Sequence, residues 1–103
     1  MNNKCVKIKS FNCCGVKNKL PIIHLLCDSV DILLLQETWI MPDEVRCLDN
    51  VHLDFNVFSR SSVNNQSLLS GRPYGGLSIL WRKSLDLSVS VVDFEDNRLL
   101  GFW

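Results

Sequence analysis

The stretch Ile32 to Leu35, four apolar residues in a row after Asp31, constrains this chain more than any other. Such a run is too short for a helix of its own, and no polar residue alternates with the apolar ones. It reads as a strand covered on both faces, and such a strand lies inside a sheet rather than at its edge. The run stops at Gln36, Glu37, Thr38 and Trp39, with no Lys or Arg closer to Glu37 than Arg46. A core strand therefore ends by presenting a carboxylate that has no counter-charge nearby in sequence.

The preceding segment supplies a neighbour. From Cys5 to Asn12 the residues alternate, Val6 and Ile8 on one side and Lys7 and Lys9 on the other, as in a strand with one solvated face. Gly15 and Asn18 break this pattern. Asn18 is placed to cap a helix, and Pro21 suits the first turn because the N–H it lacks has no partner there in any case. Leu20, Ile23, Cys27 and Val30, with Leu26 alongside, recur at helical spacing over about three turns. Strand, helix and buried strand make a βαβ crossover, which sets the two strands parallel.

Beyond Trp39, the segment from Met41 to Leu48 reads as a short helix, with Pro42 in its first turn and Asp43 and Glu44 favouring its N-terminal dipole. Asp54 to Arg60 reads as a short strand. Residues 59–76 form a polar loop containing three glycines and a proline, of a length usually given to binding elements or poorly ordered segments. The stretches 77–83 and 85–95 read as two strands joined at Lys83 and Ser84. The second alternates Leu87, Val89 and Val91 with Ser88 and Ser90, so an antiparallel hairpin is expected. Arg98 to Trp103 begins a further strand, and an end inside an apolar run is expected of a chain cut short at its C-terminus.

At 103 residues there is room for one small domain, and 47% hydrophobic against 21% charged residues is globular composition. Eleven basic residues balance eleven acidic ones, which excludes the global positive field of a non-specific nucleic-acid binder. Contact with nucleic acid would have to be local. The N-terminus lacks a secretory core and no apolar run approaches the roughly eighteen residues of a membrane span, so an intracellular chain is expected. Five cysteines without a C-x-x-C pair suggest buried or half-buried free thiols rather than a disulfide framework or zinc ribbon.

Parallel pairing would bring Asn12, ending the first strand, and Glu37, ending the second, to one rim, where open α/β sheets place their ligands. An amide and a carboxylate suit a hard cation such as Mg²⁺. Each residue also has a plainer reading, Glu37 as a solvated or capping carboxylate and Asn12 as a turn residue. Arg72 and Tyr74 in the polar loop are candidates for touching a DNA backbone or stacking on a base, or they flank the turn made by Pro73 and Gly75. Trp39, Trp81 and Phe58 read as core, and His24 and His52 as surface or packing histidines. His24 and Cys27, three apart on one helix, are a weak metal pair because no further ligands stand at zinc spacing.

The block from Lys7 to Trp39, a strand closing on Asn and a turn Gly, a helix, then an apolar strand closing on Gln-Glu-Thr, resembles the N-terminal part of the endonuclease/exonuclease/phosphatase superfamily. The later segments from Gly71 to Lys83 and from Asn97 to Trp103 are most similar to the apurinic-endonuclease-like domain of LINE-type, non-LTR retrotransposons. The resemblance implies the N-terminal half of a four-layer α/β/β/α sandwich (α/β or α+β class). It implies Mg²⁺-assisted hydrolysis of a DNA phosphodiester, with Mn²⁺ as a substitute, and nuclear work on DNA without an obligate protein partner. Glu37 takes the position of the metal-binding glutamate and Asn12 that of the supporting asparagine. Where several relatives carry Asp or Asn two positions after that asparagine, this chain has Cys14. The later Tyr, Asp-x-Asn and terminal Asp-His of the family have no counterpart among these 103 residues. The expectation is thus a truncated nicking endonuclease, inactive as it stands. The alternatives are a non-catalytic interaction or nucleic-acid-binding remnant, and a small zinc or redox protein using the five thiols.

Overall fold

The computed structural model describes residues 5–61, 75–93 and 100–102. Its centre is a mixed four-stranded sheet of β1 (Ile8–Asn12), β2 (Ile32–Gln36), β3 (Phe55–Arg60) and β4 (Leu77–Arg82), in the spatial order β1-β2-β4-β3. β1 and β2 are parallel, in register from Ile8 opposite Ile32 to Asn12 opposite Gln36, and α1 (Leu20–Asp28) makes the crossover between them. β4 is antiparallel to both of its neighbours. A separate two-stranded sheet pairs β5 (Val91–Asp93) with β6 (Leu100–Phe102). The arrangement is of the α+β class. No helix among the described residues is long and apolar enough to cross a membrane.

β2 is the inner strand its apolar run demanded. Leu33 and Leu35 point toward α1 and pack with Ile23, Cys27, Phe55 and Leu80, while Ile32 is buried on the opposite face. β1 differs from the expectation. Val6 and Ile8 are half exposed, and Phe11 is the residue that packs on the core. Among the described residues β1 has a neighbour on one edge only, and α1 covers the face that carries Phe11, so the alternation at the start of the strand is not its burial pattern.

The helix begins at Leu20, and its N-cap is Lys19 rather than Asn18, with no side chain bonded to the cap. A preceding turn explains the shift. The Lys19 N–H donates to the Val16 carbonyl, and the Lys19 carbonyl accepts the first helical bond from Ile23. The segment from Met41 to Leu48 contains a single 3₁₀ turn, Pro42–Glu44, in place of a longer helix. Glu44 turns its side chain back to accept the Met41 N–H at 3.1 Å and pairs with Lys17.

The expected hairpin at Lys83 and Ser84 does not form. Lys83–Ser88 is a 3₁₀ helix, and β5 pairs with β6, not with β4. The reason lies in the sheet: β2 and β3 occupy the two edges of β4, so no edge remains for the segment that follows. Trp81 and Phe58 are half-buried on the face away from α1 and outside the main cluster.

Arg82 ties the far end together. Its Nη2 donates to the carbonyls of Cys27 (2.9 Å) and Val30 (2.7 Å), where α1 runs out of intrahelical partners. Nε lies 3.4 Å from Asp31, and the guanidinium stacks 4.7 Å over the Phe55 ring. Five free thiols are present, two of them buried. Burial pushes the Cys13 and Cys27 thiols up to about 11 from 9.0, only partly offset by the charges of Lys19 and Arg82 respectively.

Replacing Leu33 with Ala, at a site with no exposure, is expected to cost about 2–5 kcal/mol in urea unfolding. Leu25→Ala, two-thirds exposed, should stay within about 0.5 kcal/mol of the parent. The two buried thiols also fix a pH dependence. Their folded pKa lies above the unfolded value, so the fold binds more protons between pH 9 and about 11, and stability should fall as pH rises through that window. Thermal melts of the parent and of Cys27→Ala across the window check this, because the variant loses its share of the decline.

Candidate active site

The C-terminal ends of β1 and β2 and the start of β4 meet at one rim, since Asn12 lies opposite Gln36 and Gln36 opposite Leu77. Pairing continues past the strands. The N–H groups of Cys13, Gly15 and Val16 donate to the carbonyls of Gln36, Glu37 and Thr38 at 2.8, 2.9 and 3.0 Å. On the other side, Thr38 and Trp39 donate to the carbonyls of Gly76 (3.3 Å) and Gly75 (2.8 Å). Three loops are thereby fixed as one unit.

This fixing carries strain. Among the described residues, every left-handed backbone conformation lies here: Cys14 (φ 48°), Glu37 (φ 52°) and Trp39 (φ 58°), with Gly15, Gly75 and Gly76. A non-glycine residue held there costs of order 1–3 kcal/mol, and such residues gather at functional sites. The glycines are required by space as well. A Cβ on Gly15 would meet the Trp39 ring at 2.8 Å, and one on Gly76 would meet Thr38 Oγ1 at 2.3 Å.

The turn at Glu37 sets the carboxylate. Its Oε1 accepts the indole N–H of Trp39 at 3.1 Å and the backbone N–H of Gly75 at 3.4 Å. Both donors hold the same oxygen, which orients the group and leaves Oε2 without a hydrogen bond among the described residues. Asn12 is exposed at the neighbouring strand end, and its Oδ1 accepts the Cys14 thiol at 3.4 Å. Thr38 is 1% exposed, and its hydroxyl has no hydrogen-bond partner among the described residues. Beside these residues a cleft of about 270 Å³ is lined by Cys14, Val16, Lys17, Asn18, Thr38 and Trp39.

The structure thus brings Asn12 and Glu37 to one rim. Arg72 and Tyr74 lie outside the described residues. Trp39 is half-buried and supports Glu37 instead of filling the core. His24 and Cys27 do not face a common site, in keeping with the weakness of that pair in the sequence, because Cys27 is fully buried in the core while His24 is exposed. His24 instead stacks on His52, ring centroids 4.7 Å apart, and His52 bonds Asp28 at 2.8 Å. The i, i+4 spacing of His24 and Asp28 was a usable signal for their common face. Nothing in the sequence announces the arrival of His52. These histidines sit at the end of the sheet where β3 starts and β4 finishes, away from the rim.

No protein-family model and no curated protein matches the chain. Among solved structures it is similar to a 3′ phosphatase, NExo, from Neisseria, bound to product DNA hairpin, with a TM-score of 0.62 and 19% identity. The match covers 95% of this chain and 37% of that one. At this identity the likeness is one of fold alone, and it carries nothing specific to retroelement proteins.

Gly76→Ala should destabilise the protein by about 1–3 kcal/mol, since it combines a left-handed residue with a collision at Thr38. Adding Thr38→Ala should restore part of the loss, because the colliding hydroxyl goes and the backbone strain stays. A double-mutant cycle in denaturant measures this coupling, and strict additivity would mean the two residues do not meet.

Proposed function

We propose that this chain carries the N-terminal part of a divalent-metal-dependent DNA phosphodiesterase of the endonuclease/exonuclease/phosphatase superfamily, of the retroelement type that nicks its target. The observation that carries the reading is the Glu37 carboxylate, held through one oxygen on a strained rim, its other oxygen without a hydrogen bond among the described residues. A carboxylate oriented in this way fits a hard cation, and the exposed Asn12 amide oxygen adds a second hard donor at the same rim. Mg²⁺, or Mn²⁺ in its place, would supply polarisation of the phosphate and stabilisation of the leaving oxygen.

The residues of this chain divide the remaining work. Glu37 provides the negative charge that retains the cation. Trp39 and Gly75 prevent the carboxylate from turning away. Lys17, which lines the adjacent cleft, offers a positive charge to a phosphate oxygen. Arg72 and Tyr74 are proposed, on their residue types in the polar loop, as contacts to the DNA backbone or a base. In a cell this reading places the substrate in the nucleus.

Water still has to be deprotonated. His24 and His52 are at the opposite end of the sheet, and no other histidine occurs in the sequence. The rim described here therefore binds metal and phosphate, and a general base, commonly worth about 10²–10⁴ in rate, has to come from elsewhere. This favours, as a second reading, a module that binds nucleic acid without cutting it.

Mn²⁺ added to residues 1–103 should broaden the NMR signals of Asn12, Glu37 and Gly75 selectively, and Glu37→Gln should remove the effect while leaving the spectrum folded. Supercoiled plasmid should not be nicked by these residues with either ion. Joined to a segment that supplies the base, the chain should nick, and Glu37→Gln should abolish most of that activity. Broadening that survives Glu37→Gln would take Glu37 out of the mechanism.

A further inference from the structure

His24, Asp28 and His52 form a second cluster remote from the rim. One ligand atom from each can be chosen so that all lie within 4.8 Å of one another. His24 and Asp28 are exposed, one turn apart on α1, and His52 is buried, reaching them from the segment before β3 with its other flank against Phe55. The neighbouring hydrogen bonds fix the tautomers. The Val51 carbonyl can only accept, so His24 Nδ1, 2.8 Å away, carries the hydrogen and Nε2 holds the lone pair. This is how a carbonyl behind a histidine orients it as a ligand. His52 is set the other way: its Nδ1 accepts the Asp54 N–H at 3.1 Å, so Nε2 carries the hydrogen and donates it to Asp28.

We propose that His24, Asp28 and His52 constitute a transition-metal site, with Zn²⁺ the ion it suits best, clipping α1 to the segment before β3. Two imidazoles and one carboxylate are a borderline-soft set, disfavoured by Mg²⁺ and suited to Zn²⁺ with water in the fourth position. Ligand atoms in a tetrahedral zinc shell stand about 3.4 Å apart. Closing from 4.8 Å asks for a small inward movement by two surface side chains, His24 pivoting on its bond to the Val51 carbonyl and Asp28 exchanging its bond to His52 for the ion. Binding changes one proton's place. His52 remains neutral while its hydrogen passes from Nε2 to Nδ1 by exchange with water, Nε2 takes the metal, and the Asp54 N–H turns outward. The site needs no contribution from Glu37 or Asn12.

The test uses residues 1–103 with the exposed Cys5, Cys14 and Cys47 replaced by Ser, so that thiols do not compete. Titration with Zn²⁺ is expected to saturate at one equivalent and raise the melting temperature. Co²⁺ in its place should give visible bands without sulfur charge transfer. His24→Gln and Asp28→Asn, both surface changes, should each weaken binding by about tenfold or more. Imidazole ¹⁵N shifts should show His52 moving its hydrogen from Nε2 to Nδ1 on zinc addition. Failure to saturate below about 100 μM, equal affinity in His24→Gln, or a His52 tautomer unchanged by zinc would each overturn the proposal.

Discussion

Everything else in the fold depends on β2 having both edges paired and both faces covered. Its parallel partner β1 fixes the crossover through α1, and its antiparallel partner β4 brings in β3 beyond it. With β2 buried on two sides, a register slip would move Leu33 and Leu35 out of the core, so the pairing of Asn12 with Gln36 is locked by packing far from the rim. The position of Glu37 is therefore a consequence of hydrophobic burial. Local chemistry then decides only how its carboxylate is aimed.

The rim shows a division between order and strain. Hydrogen bonds knit residues 13–16, 36–39 and 75–76 into a continuous ladder, and the same ladder forces Cys14, Glu37 and Trp39 into left-handed backbone. A loop free to relax would not keep three such residues. The core supplies the stability that holds them, and what is obtained in return is one oriented carboxylate oxygen beside an unpartnered hydroxyl.

Much of this was legible in the sequence because it depends on short-range pattern. The apolar run Ile32–Leu35 identified the inner strand, and the helical spacing of Ile23 and Cys27 identified the face of α1 that is buried. The end of β2 located Glu37. What the pattern could not show was competition for edges. The alternation of Leu87, Val89 and Val91 suits a strand, but whether such a strand can join β4 depends on β3, more than twenty residues earlier in the chain. The exposure of Ile8 has a similar origin, since it follows from β1 lying at the edge of the sheet. Side-chain meetings between distant segments, Gly75 with Glu37 and His52 with Asp28, leave no local trace at all.

Arg82 makes the end of α1 conditional on chain that is synthesised much later. The two carbonyls it caps belong to Cys27 and Val30, 55 and 52 residues away. Before β4 has docked, the last turn of this nine-residue helix, too short to persist on its own, is closed only by the Ser29 and Val30 N–H groups on the Leu26 and Cys27 carbonyls and by water. Closing so long a loop is slow compared with forming a helical turn. The crossover and the sheet thus stabilise one another, and the Arg82 guanidinium adds its two bonds at the end of α1 only once β4 has been made and docked.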